Sequence, residues 1–182
     1  MGSNDQAVID ETRKWIVSQV IGLNLCPFAR EAYAAERVRY VVSAADSVEA
    51  LRAQLADELR LLQTLDPAAT ETTLLIHPRV LGDFLEYNDF LDLADQTIRE
   101  LEFEGDFQIA SFHPCYQFAG TEPDDVTNRT NRSPYPMLQI LREASVERAV
   151  AEYPDVDKIP ERNIETMRRL AASPPPSDSK PK

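Results

Sequence analysis

The chain carries two histidines, His77 and His113. Each is followed by proline and each closes a short apolar run, TTLLIHP and FQIASFHP. Histidine exchanges protons near neutral pH and ligates transition metals. If the two runs are neighbouring parallel strands, both imidazoles lie at one edge of one sheet, where open α/β folds place ligands. Two chemistries follow: His113 as an acid–base group with His77 beside it, or a divalent transition metal held by the pair. A plainer reading stands next to both. Each ring bonds to backbone and orients a strand-to-loop turn that the proline sets. No HExxH or paired CxxC motif decides among them.

Two cysteines add to the list. Cys26, in GLNLCPF, is a candidate nucleophile if a histidine reaches it. Flanked by Leu25 and Phe28, it reads equally as a small buried hydrophobe. Cys115 lies two residues beyond His113 and would join a metal site only through a sharp turn at Pro114.

The stretch from Phe118 to Pro136 supplies hydrogen-bond donors: Asn128, Arg129, Asn131, Arg132 and Ser133. They precede an expected helix start, where free N–H groups and the helix dipole favour anions. A guanidinium grips a carboxylate or phosphate bidentately. Arg132 and Asn131 are therefore candidates for holding a small anionic metabolite; alternatively, these side chains pin the loop. On the acidic stretch GDFLEYNDFLDLADQ, Asn88 and Asp95 flank the apolar stripe and are placed to line a pocket edge. The remaining carboxylates read as a solvated face.

These residues need elements to position them. The apolar periodicity predicts a helix over about 6–20, ended by Gly22, and then a loop through Pro27. RVRYVVS alternates as a strand. Ser47 caps a helix carrying Leu51, Leu55, Leu59 and Leu62. A second strand runs over 72–77. Asp83 opens a helix whose apolar face is Phe84, Tyr87, Leu91, Ala94, Ile98 and Leu101. A third strand runs over 107–113, followed by a long irregular loop. Pro134 and Pro136 introduce a helix to about Tyr153, and a last helix begins near Pro160. The expected class is α/β (or α+β): a small, mainly parallel sheet of three to four strands covered by about five helices. The order α-β-α-β-α-β favours parallel crossovers, and a mixed sheet with a further strand is the alternative. Residues 1–5 read as frayed, 6–172 as one domain and 173–182 as a disordered Pro/Ser tail.

Composition limits the partners. The chain has 182 residues, 31 acids against 19 bases and a formal net charge of -12. Such a surface repels phosphate backbones and anionic membranes, so neither nucleic acid nor membrane is expected. No apolar run is long enough to span a bilayer, no signal pattern opens the chain, and two cysteines form no disulfide framework. A cytoplasmic protein is expected; its oligomeric state is not encoded in any of these patterns.

The segments GLNLCPFA, HPRVLGDFLEYNDFLDLAD, SFHPCYQFAGT and NRSPYPMLQILREAS together resemble a proteobacterial family, domain-of-unknown-function family 1415. The likeness runs over roughly residues 6–172. It implies a stand-alone single-domain bacterial protein and carries no mechanism with it. Among the residues inside those segments are Asn24, Cys26, His77, Asn88, His113, Gln117, Asn131, Arg132 and Tyr135. Gln117 and Tyr135 enter the ligand-binding candidates in this way. Cys115 departs from the family pattern, which weakens it as a metal ligand. The expectation is an enzyme acting on a small anionic metabolite, with His113, His77 and Cys26 as the reactive set. The alternative is a non-catalytic protein that binds a metal, a metabolite or a partner.

Overall fold

The computed structural model describes residues 3–172. The chain order is α1 (Ser3–Trp15), a π-helical segment (Ile16–Ile21), α2 (Ala29–Ala34), β1 (Val38–Val42), α3 (Val48–Thr64), β2 (Thr72–Ile76), α4 (Phe84–Glu100), β3 (Phe107–Phe112), a 3-10 turn (Val126–Thr130), β4 (Met137–Arg142), α5 (Glu143–Glu152), a second 3-10 turn (Val156–Lys158) and α6 (Ile159–Ala172). Residues 3–5, read as frayed, form the first turn of α1. The Pro/Ser tail from 173 lies outside the described residues.

The α/β class and a small, helix-covered, four-stranded sheet agree with the sequence reading. The strand directions do not. The sheet order is β1-β2-β4-β3. Only β1 and β2 pair in parallel; β4 runs antiparallel to both β2 and β3. The sheet is therefore mostly antiparallel rather than mainly parallel. Nor are the two histidine-ending strands neighbours, because β4 lies between them. They still run in the same direction, each being antiparallel to β4, so both histidines emerge at one end of the sheet.

The source of this difference is residues 137–142, expected as part of a helix. Met137, Leu138 and Ile140 are fully buried. A central strand covered on both faces shows a continuous apolar run, which periodicity cannot tell from a buried helix. The backbone decides: β4 satisfies the open edges of β2 and β3 at once. The helix begins only at Glu143.

Alternation along the strands gives the sheet two apolar faces. On one, Leu75, Leu138, Ile140 and Phe107 pack against Leu51, Leu55, Leu59 and Leu62 of α3 and Tyr87, Phe90, Ala94 and Ile98 of α4. The α3 leucines recur at helical spacing, and the Ser47 side chain caps the helix through the Ala50 N–H at 3.2 Å. Asp83 caps α4 through the N–H groups of Leu85 and Glu86, at 2.9 and 3.1 Å. The opposite face carries Leu74, Ile76 and Met137, which pack against Val8 and Ile16.

That second face is covered by α1 and its π-helical extension, by α2, and by α5 and α6. The π segment shows i to i+5 bonds, Gly22 N–H to Val17 carbonyl at 3.0 Å and Leu25 N–H to Val20 carbonyl at 2.9 Å. A Cβ on residue 22 would sit 2.5 Å from the Ser18 carbonyl oxygen, so this exit admits only glycine. The short helix α2 occupies part of the stretch read as a loop.

Tyr87 ties the layers together. Its hydroxyl donates to the Met137 carbonyl at 2.8 Å and accepts from the Phe112 N–H at 3.0 Å. One side chain of α4 thus bonds to β4 and β3. Tyr87→Phe removes the hydroxyl and leaves two strand-end groups without this partner. It is expected to cost about 2 kcal/mol, read as a lower urea midpoint with an unchanged m value.

Candidate functional site

The strand alternation fixes where the two histidines go. Ile76 and Phe112 belong to the face toward α1, so the next residues, His77 and His113, turn to the α4 face. Both are fully buried. The Tyr87 ring lies between them, stacked on His77 with centroids 5.8 Å apart and tilted against His113 at 5.0 Å. Phe84 closes on His113 at 5.4 Å.

Their nitrogens hold the loop between β2 and α4. His77 Nδ1–H donates to the Val80 carbonyl at 3.0 Å. His113 Nδ1 accepts the Cys115 N–H at 3.0 Å, and its Nε2–H donates to the Leu81 carbonyl at 3.1 Å. Both bonds on His113 require the neutral ring. Leu81 has a left-handed φ of 59°, which costs a residue with a Cβ on the order of 1 kcal/mol. The two imidazoles offset that strain by clasping the carbonyls on either side of the turn. This is the plainer reading offered by the sequence. His77 Nε2 is buried and has no hydrogen-bond partner. Among the described residues, no group of three or more His, Cys, Asp or Glu is gathered to hold a metal ion. A metal on both rings would have to displace the bonds of His113.

Burial in this aromatic box pulls the His77 pKa down from 6.5 to about 4, with the charge of His113 a lesser contribution in the same direction. Burial lowers His113 as well, opposed by its bond to Leu81 and the nearby Asp83 carboxylate.

The donors of the long loop also bind their own chain. Arg132 Nε donates to the Tyr116 carbonyl at 3.2 Å and Nη2 to the Pro123 carbonyl at 2.6 Å. Asn128 is fully buried; its Oδ1 accepts from the Phe118 N–H at 3.0 Å and the Thr121 hydroxyl at 2.8 Å, and its Nδ2 donates to the Glu122 carbonyl at 2.8 Å. Gln117 Nε2 donates to the Thr121 carbonyl. The Tyr135 hydroxyl donates to Glu11 of α1, a bond that raises its pKa. Asn88 and Asp95 are exposed on α4.

A cavity of about 350 Å³ lies on the other face of the sheet. Its floor is built from the paired rows Val38, Thr72, Leu141, Gln108 and Leu74, Gln139, Ala110, with Phe112 beyond them. Its walls are Trp15, Ile16 and Val20 from the first helix, Leu25, Cys26, Phe28 and Tyr33 around α2, Val146 and Ala149 of α5, and Asn163 of α6. Polar groups are few. Gln139 Nε2 donates to the Thr72 hydroxyl at 3.1 Å, and Asn163 Nδ2 to the Leu25 carbonyl at 2.9 Å. Arg142 borders the space, but its guanidinium caps α3 through the carbonyls of Leu62 and Leu65 at 2.7 and 2.9 Å and holds the following loop through the Thr70 carbonyl at 3.3 Å.

Of the candidates from the sequence, the cavity brings together Cys26 and Asn131. His77 and His113 stand on the opposite face, and Arg132, Asn88, Gln117 and Tyr135 do not line it. Asn131 sits at the rim, its Nδ2 donating to the Ser111 carbonyl at 3.2 Å. Burial raises the Cys26 thiol pKa, opposed by weaker bonds from Phe28 and Ala29, so it rests as a thiol. The sequence reading did not single out Gln108, Gln139 or Trp15 as site residues. An amide inside an apolar run is the signal that marks both Gln108 and Gln139; nothing marks Trp15 without the sheet order.

A family model described as "Protein of unknown function (DUF1415)" matches residues 7–174. This chain belongs to that family. The match takes in every cavity-lining element from α1 to α6. No curated protein and no solved structure matches the chain. Among the described residues, no helix is long and apolar enough to cross a membrane.

Two outcomes follow for this DUF1415 chain. His77 takes up a proton more readily unfolded, at its ordinary 6.5, than folded, at about 4. Stability from this group is therefore complete above about pH 6.5 and falls as pH drops toward 4, by on the order of 3 kcal/mol. Urea titrations across that range should show the slope, and His77→Gln should flatten it. Cys26 should react with iodoacetamide more slowly at neutral pH than free cysteine does.

Proposed function

We propose that this chain is a binding protein for a small, largely apolar molecule held between the sheet and the helices α1, α2, α5 and α6. One observation carries the reading: a space of about 350 Å³ over the sheet, walled mostly by apolar side chains, with a few amides and hydroxyls and with Glu71, ion-paired to Arg37 and Arg148, on its border. Such a ratio of apolar wall to directed polar groups is the usual make-up of a small-molecule site. The reading departs from a charged metabolite because the guanidiniums of Arg132 and Arg142 are engaged by backbone carbonyls. It is non-catalytic because His113 uses both ring nitrogens to hold the fold and burial keeps Cys26 protonated. The two free thiols, Cys26 and Cys115, support a reducing, cytoplasmic setting.

The chain contains its own reporter. Trp15 is its one tryptophan and lines the cavity. Its ring packs edge-on against Phe112 at 5.4 Å, and its Nε1–H donates to the Arg132 carbonyl at 2.9 Å. Entry of an apolar ligand should shift or quench its emission. Ala110→Phe places a ring on the cavity floor. It is expected to weaken binding by about tenfold or more while leaving the urea midpoint near that of the parent. Unaltered Trp15 emission across a panel of compact apolar probes, toluene and cyclohexanol among them, would sink the reading.

A further inference from the structure

A second space of about 230 Å³ lies between α2 and α5. It shares Phe28, Ala32, Glu71, Ser145 and Ala149 with the cavity over the sheet. The two spaces therefore abut, and their characters differ. The inner one is apolar. The outer one is bordered by Glu31, Arg148, Glu152 and Tyr153. Phe28 and Tyr153 meet edge-on at 5.6 Å beside it.

From this juxtaposition we propose that the ligand is an elongated, uncharged amphiphile. Its hydrocarbon part fills the cavity over the sheet and its hydroxyl or amide end lies in the outer space between α2 and α5. The inference rests on the binding reading above and names its ligand class.

Length follows from the shared lining: a molecule that fills the inner space and reaches Ser145 emerges into the outer one. The head follows from how the charges are already paired. Glu71 lies 2.9 Å from Arg37 and 3.5 Å from Arg148. Arg37 also holds Glu31 at 2.8 Å. Arg142, the one cation lining the inner cavity, donates to three carbonyls. A carboxylate or phosphate head would lose its hydration and find only engaged guanidiniums among acidic neighbours, a costly exchange. An ammonium head would meet carboxylates that are paired, or, at Glu152, exposed to water, where an ion pair contributes little. A neutral head instead exchanges water for the Ser145 hydroxyl as hydrogen-bond partner. The hydrocarbon meets Leu74, Phe112, Leu141 and Val146, whose burial against it is favourable at about 25 cal/mol per Å².

The test titrates the full chain with decan-1-ol, decylamine and decanoate below their aggregation limits, following Trp15 emission. Toluene serves as a compact probe of the inner cavity. Decanol is expected to bind about tenfold or more tightly than decanoate or decylamine. Glu152→Phe, which crowds the outer space alone, should weaken decanol by about tenfold while leaving toluene within about twofold; Pro27→Phe, also on the outer space only, serves if that variant does not fold. Equal affinity for the three heads, or tighter binding of a charged one, overturns the head assignment. Toluene binding with no response to decanol overturns the amphiphile but leaves the binding reading standing. No response to any probe overturns both.

Discussion

Everything in this molecule depends on β4 occupying the gap between β2 and β3. Its main chain bonds to both neighbours over the full length of the strand, Thr72 to Ile76 on one side and Phe107 to Phe112 on the other. Without it, β2 and β3 would be edges facing each other with unpaired N–H and C=O groups, an expensive arrangement in a buried layer. With it, the two histidine-bearing strand ends are set one strand apart. That distance lets the Tyr87 ring fit between the imidazoles, and lets its hydroxyl reach β4 and β3 together. The same strand supplies Gln139 and Leu141 to the floor of the cavity. Clasp and cavity are the two faces of one insertion.

The division of labour between those faces follows from strand alternation. The α4 face is dry and aromatic, and around the two histidines the polar groups are held by backbone or by Tyr87, apart from one nitrogen of His77. Such an arrangement resists change, since any shift strands a buried donor or acceptor. The opposite face is covered by elements of a different kind. A π-helical segment, a six-residue helix and two helices with mostly half-exposed faces roof it. A roof of short and irregular pieces encloses volume where two long helices would have filled it.

The sequence reveals much of this and hides a defined part. Caps at Ser47 and Asp83, the leucine stripe of α3 and the runs ending at the two histidines place α3, β2, α4 and β3 within a residue or two. The reading that both histidines share one end of the sheet holds, through β4 rather than through direct pairing. Residues 137–142 are ambiguous because a strand buried on both faces has no alternation to show. Alternation puts each histidine on the face opposite the residue before it, Ile76 or Phe112. What no local pattern supplies is the face that α1 covers. Cys26 and the histidines are equally reactive on paper, and the sheet stands between them. Arg132 and Asn128 illustrate a related limit. A donor-rich loop looks the same in sequence whether its partners are a bound anion or the carbonyls of its own backbone.

The topology also sets an order of events for a chain emerging from the ribosome. Thr72 pairs with Leu141, and Phe107 with Arg142. The strand that unites the sheet is therefore the last to be synthesised. Until it emerges, β1 and β2 form a two-stranded ribbon with an apolar free edge, and β3 has no partner. Pairings this distant in sequence close slowly. The helices α3 and α4, each capped and each bearing an apolar stripe, shield that edge locally in the interval. The late arrival of β4 makes the middle of this chain the stretch most exposed to mispairing with another nascent copy, and a chaperone's opportunity falls in the same window.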